Sequence, residues 1–189
     1  LSPTGKNKDL TSLYDVAKEN GYTVTTTQSE IEAVNKNTGK VIAIDENLAD
    51  GDAMNYDMDL ADGKWDLADY VEKGIEVLNN DKGFFMMVEG GKIDWACHAN
   101  DAAASINDTL ALDKAVQAAY KFYEQHPADT LILVTGDHET GGLTIGYAGT
   151  NYDTYLKNLE NQTLSYAKFD SEYVASYKEN NTPFSQVLV

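Results

Sequence analysis

The chain has 189 residues and is 42% hydrophobic and 10% aromatic, enough to fold around a core of ordinary size and too apolar for a disordered segment. Its net charge is −17, and all 14 basic residues are lysines, which argues against a nucleic-acid partner or an anionic membrane surface. The single Cys97 rules out an internal disulfide, and no apolar run is long enough to span a bilayer.

Leu10 to Glu19 has helical spacing and is closed by Asn20-Gly21. Tyr22 to Thr27 is β-rich. Ser29 is the expected N-cap of a short helix from Glu30 to Val34, with Glu32 as its capping-box partner. A turn at Asn37-Thr38-Gly39 leads into a short apolar strand, Lys40 to Ile44. Helix, strand, helix, strand in so few residues predicts an α/β fold, a mostly parallel sheet flanked by helices.

Asp45 to Asp66 is acidic and contains glycines. Asp57, Asp59, Asp62 and Gly63 are out of register for a calcium loop, and Ala68 stands where a bidentate glutamate would fall, so the segment reads as an exposed connection. A helix follows to Leu78, then a turn at Asp81-Lys82-Gly83. Phe84 to Val88 (FFMMV) and Leu131 to Val134 (LILV) are continuous apolar runs of the kind found in strands buried on both faces. Between them a long helix is predicted from Trp95 to Glu124, ended by Pro127, with a sheet-facing side that includes Ala103, Ile106, Leu110 and Ala115. Composition shifts from Gly149 on. The sequence divides into 1–148, an α/β unit, and 149–189, a mainly helical covering segment of the same domain with short helices at about Asp153–Leu159 and Ser171–Lys178. A further helix start falls at Thr182-Pro183.

Both apolar runs deliver ligand-type side chains just past their ends, where open α/β sheets gather ligands. The first gives Glu89, then Asp94 and His98 one helical turn apart; the second gives Asp137 and His138 side by side. Imidazole with carboxylate suits zinc, and an isolated carboxylate suits a harder ion such as magnesium. Cys97 reads as a small filler, Lys92 as solvent-exposed, and His126 as a cation at a helix C-terminus.

VEGGKIDWACHANDA and LVTGDHETGGL resemble the two metal-binding segments of alkaline phosphatases, in the same order and at a similar interval. The resemblance implies a three-layer sandwich, incomplete here, with two zinc ions and one magnesium. Glu89 would bind magnesium, Asp94 and His98 one zinc, and Asp137 and His138 the other; Trp95 would lie near the substrate. It implies phosphate monoesters as substrates, a phosphoserine intermediate and a periplasmic or secreted setting, and it allows a homodimer. Several of the family's features lack a match. Asp170-Ser171 (FDSEYV) is without the nucleophile's context, so Ser171 reads as a helix start; no arginine exists to grip phosphate, and no histidine follows His138. Each zinc keeps two protein ligands and the magnesium one. The expectation is therefore a C-terminal fragment of such an enzyme, inactive alone, with a non-catalytic metal- or partner-binding module of the same fold as the alternative.

Overall fold

The computed structural model describes residues 10–144 and 146–186. Helix α1 (Leu13–Glu19) is capped by the Ser12 hydroxyl and ends at Asn20. Strand β1 (Tyr22–Thr25) and strand β2 (Lys40–Ala43) pair in parallel, Tyr22 opposite Lys40 and Thr25 opposite Ala43. Helix α2 (Gln28–Ala33) makes the crossover. Its cap differs from expectation: Thr27, not Ser29, accepts from the Glu30 N–H, and the Glu30 carboxylate answers on the Thr27 N–H. The box needs a glutamate three residues after the cap, and Thr27 and Glu30 each lie two residues before the pair read from Ser29.

Helix α3 (Leu67–Leu78) starts from a reciprocal Asp66–Asp69 capping box. The predicted long helix is two: α4 (Gly91–His98) and α5 (Ala102–Gln125). Asn100 takes a left-handed conformation at φ 55°, which stops α4, and the Asp101 carboxylate caps α5 through the Ala104 N–H. Helix α5 packs against α3 and α4 through a stripe of alanines, including Ala104, Ala111, Ala115 and Ala118. Ile106 and Leu110, expected inside, are exposed.

Two small apolar clusters hold these helices. Val71, Ala115 and Ala118 form one, with Met86 against it. Tyr56, Ala96 and Ala104 form the other, with Trp95 and Tyr166 against it. The acidic connection is therefore more than an exposed link: Tyr56 is 1% exposed, and Asp59 accepts from the Ser165 backbone N–H at 3.1 Å.

Phe84–Val88 and Leu131–Val134 do not pair as strands, and among the described residues the only sheet is the β1–β2 pair. Side chains still alternate along the first run. Phe84 stacks edge-on to Phe122 at 5.6 Å and Met86 reaches α3, while Phe85 and Met87 are 88% and 76% exposed. Leu131 and Leu133 are likewise about four-fifths exposed. A strand is stable only beside a partner, and neither run finds one among the described residues. The architecture is an incomplete, helix-rich α/β fold with a small parallel sheet.

Near the C-terminus a short 3-10 stretch, Leu156–Asn161, replaces the helix expected from Asp153. Ser165 caps α6 (Tyr166–Phe169), which runs through a wide turn at Asp170–Val174 into α7 (Ala175–Asn180). Ser171 is thus inside a helical run, its hydroxyl donating to the Lys168 carbonyl, and does not start a helix. Thr182-Pro183 opens only a tight turn at Phe184–Gln186.

Candidate metal centre

Helix α4 puts Asp94 and His98 on one face, with His98 Nε2 3.5 Å from an Asp94 oxygen. The segment after Leu131–Val134 brings its own pair to the same place. His138 Nε2 lies 3.7 Å from Asp137 and 3.9 Å from the other Asp94 oxygen, so Asp94 stands between two imidazoles. The close approach depends on glycine: a Cβ on Gly141, at φ +67°, would come within 2.5 Å of the Cys97 carbonyl at the end of α4.

The ring of His138 has a definite orientation. Nδ1 is 2.9 Å from the Glu139 carbonyl, which can only accept, so the neutral ring carries its proton on Nδ1 and offers the Nε2 lone pair to Asp94 and Asp137's side of the site. That hydrogen bond, then the Asp137, Asp94 and Glu139 carboxylates, hold its pKa above the ordinary histidine value.

Thr140 was not legible as a site residue. Its hydroxyl donates to Asp94 at 2.7 Å and lies 3.3 Å from His138 Nδ1. A hydroxyl two residues after the histidine was the one signal available for it. Glu89 stands apart: it is exposed, with its carboxylate folded back over Gly91.

Lys92 is not at the surface as expected. It is 7% exposed, with its ammonium 3.9 Å from the Trp95 ring centre and 4.5 Å from that of Tyr56. Among the described residues no hydrogen-bond partner reaches the nitrogen, and burial pushes its pKa down. Helix geometry turns Lys92 away from Asp94, so its charge belongs to the inner face of α4. Trp95 is fixed between that ammonium and Gly51, where an added Cβ would lie 2.9 Å from the indole. Cys97 is half-buried, its sulfur 3.2 Å from the Ser105 hydroxyl, and His126 packs on Phe122 at 4.5 Å.

The four clustered donors can be tested against zinc. Zn–N and Zn–O bonds of about 2.0–2.1 Å in a tetrahedron put neighbouring donors roughly 3.4 Å apart. The observed imidazole–carboxylate separations of 3.5, 3.7 and 3.9 Å are close to that edge length. Among the described residues, however, no three such side chains converge as one cage. The donors fit zinc in kind and in pairwise spacing, but not as a completed cage.

The alkaline phosphatase family profile matches residues 2–186. Alkaline phosphatase 4 of Bacillus subtilis (strain 168) is 34% identical over 185 residues, 97% of this chain and 36% of that protein. The repressible alkaline phosphatase of Saccharomyces cerevisiae (strain ATCC 204508 / S288c) is 33% identical over 175 residues, 85% of this chain and 31% of that protein. The cold-active alkaline phosphatase of a psychrophilic Shewanella sp. superposes with a TM-score of 0.75 at 29% identity, covering 93% of this chain and 42% of that one. The chain thus spans about a third of the length of these curated relatives. Since the match runs through both donor segments and through α4, the chain belongs to the alkaline phosphatase family.

Proposed function

We propose that this chain supplies one part of the catalytic domain of a metal-dependent phosphomonoesterase, with 149–189 covering 1–148 as one domain. The observation that carries the reading is the meeting of Asp94, His98, Asp137 and His138 at one edge, with separations of 3.5 to 3.9 Å. Asp94 and His98 hold one zinc, Asp137 and His138 a second, and Glu89 contributes to a magnesium site. Trp95 borders the substrate space from α4. The ions supply positive charge for the phosphate oxygens and for the attacking and leaving oxygens of an in-line displacement.

The chain's own residues prepare that chemistry. The Glu139 carbonyl holds the His138 proton on Nδ1 and leaves Nε2 free to bind. The carboxylates of Asp94 and Asp137 supply the anionic oxygens, and Gly141 lets the two segments meet. Among the described residues no serine is bonded to these donors, and the chain has no arginine. The serine that would carry the phosphoserine, and the group that grips phosphate, therefore belong to a segment outside these 189 residues. A periplasmic or secreted setting and a homodimer belong to the same reading, and the charge of −17 goes against a nucleic-acid partner. No described helix is long and apolar enough to cross a membrane.

Two-ligand sites bind weakly, because affinity comes from a complete shell. The isolated chain is expected to bind zinc only at high micromolar concentration or weaker by calorimetry, less well again after Asp94→Ala, and to hydrolyse no chromogenic phosphate ester above background with zinc and magnesium. A rate abolished by Asp137→Ala would show that the chain is catalytically complete; zinc binding indifferent to Asp94→Ala and His138→Ala would remove the metal reading.

A further inference from the structure

We infer that Thr140 is a positioning residue that ties the two donor pairs into one unit, an assignment that rests on the metal reading above. A threonine hydroxyl has one proton to give and lone pairs to accept with. The Asp94 carboxylate, 2.7 Å away, accepts only, so the proton goes there. The same oxygen lies 3.3 Å from His138 Nδ1, whose proton is directed to the Glu139 carbonyl at 2.9 Å. Thr140 is therefore the second, longer acceptor of a shared His138 N–H.

The relay has one direction: His138 Nδ1–H to the Thr140 oxygen, and the Thr140 O–H to Asp94. It links Asp94 on α4 to Thr140, 46 positions away, and through Thr140 to His138. Neither imidazole reaches across in this way by a short hydrogen bond; the nearest His138–Asp94 contact is 3.9 Å. The geometry also leaves Asp94's second oxygen facing His98 at 3.5 Å. One carboxylate thus has one oxygen turned to each pair, and the hydroxyl fixes which oxygen faces which. Partners of this outer kind set ligand orientation and typically change metal affinity by about 10–100-fold when lost.

Thr140→Val keeps the shape and removes the hydroxyl; Thr140→Ser restores it. Two measurements on the 189-residue chain separate this assignment from the metal reading. Spectra of the metal-free chain, taken where His138 is neutral, are expected to show His138 as the Nδ1–H tautomer in all three proteins, held by the Glu139 carbonyl, and the Asp94 carboxylate carbon resonance displaced in Thr140→Val and restored in Thr140→Ser. Zinc calorimetry is expected to show affinity falling about tenfold in Thr140→Val and returning to within twofold in Thr140→Ser. Wild-type His138 in the Nε2–H form, or an unchanged Asp94 resonance and unchanged zinc affinity in Thr140→Val, overturns the assignment. If the wild type binds no zinc at all, the metal reading fails on its own, and the Asp94 resonance alone decides the role of Thr140.

Discussion

Lys92 and Asp108 are both buried, and each feels the other's charge. Burial is the largest influence on Asp108 and lifts its pKa to about 6; the Asp57 and Asp59 carboxylates push the same way, while the Asp57 N–H and Lys92 pull it back. A carboxyl whose folded pKa lies above its unfolded value of about 3.9 holds its proton more tightly when folded. Its contribution to stability is complete below about pH 4 and is lost as pH rises through about 6. Asp108→Asn keeps an acceptor for the Asp57 N–H and removes the charge. It is expected to stabilise the fold at neutral pH by up to about 3 kcal/mol, with the difference from wild type closing as the pH falls to about 4. Paired urea unfolding curves at the two pH values check this; an equal difference at both would locate the effect elsewhere. The candidate donors could be picked out because chemistry is written in residue type. Asp94, His98, Asp137 and His138 declare themselves by type and spacing, whereas the burial of Lys92 and the hydroxyl bridge of Thr140 depend on which face of α4 meets which loop, and no local pattern records that.

Helix boundaries follow the same division. The Asn100-Asp101 step was readable in principle as a stop followed by a cap, but the alanine-rich composition on both sides favoured one continuous helix. Asp101 has more to do than cap α5. Its carboxylate accepts from the Ala104 N–H at 3.1 Å, the Gln162 amide at 2.7 Å and the Tyr166 N–H at 2.8 Å. One buried side chain thus joins the corner after His98 to the start of α6. Asp101→Ala removes a cap, at about 1 kcal/mol, and leaves two further donors short of a charged partner. A total loss of about 2–4 kcal/mol is expected, read by urea unfolding, together with faster amide exchange in α6 and α7. Normal protection of α6 in a destabilised variant would confine Asp101 to its capping role. Strand pairing was the element-level miss. FFMMV and LILV have the composition of central strands, but pairing is a property of neighbours, which a run of residues cannot supply for itself.

For the molecule as a whole, those two runs dominate behaviour in solution. Phe85, Met87, Leu131 and Leu133 are each more than three-quarters exposed, beside backbone that pairs with no other strand among the described residues. Such edges recruit one another, and charge is the usual protection. The isolated chain is expected to self-associate as concentration rises despite its charge of −17, and a Phe85→Lys/Leu133→Lys double variant is expected to stay monomeric by sedimentation velocity with its helical circular dichroism intact. A wild type that remains monomeric at high concentration would mean that the runs cover each other in solution. The junction of Asp94 with the Asp137–Thr140 segment has a further consequence. The whole of α5 lies between the two, so ions loaded on the tied pairs would act as a removable clasp on a long loop. They would bind the folded chain alone and would make the melting temperature climb with free zinc concentration. Folding and loading would then be one event, and the metal would serve as a report on whether the chain has closed.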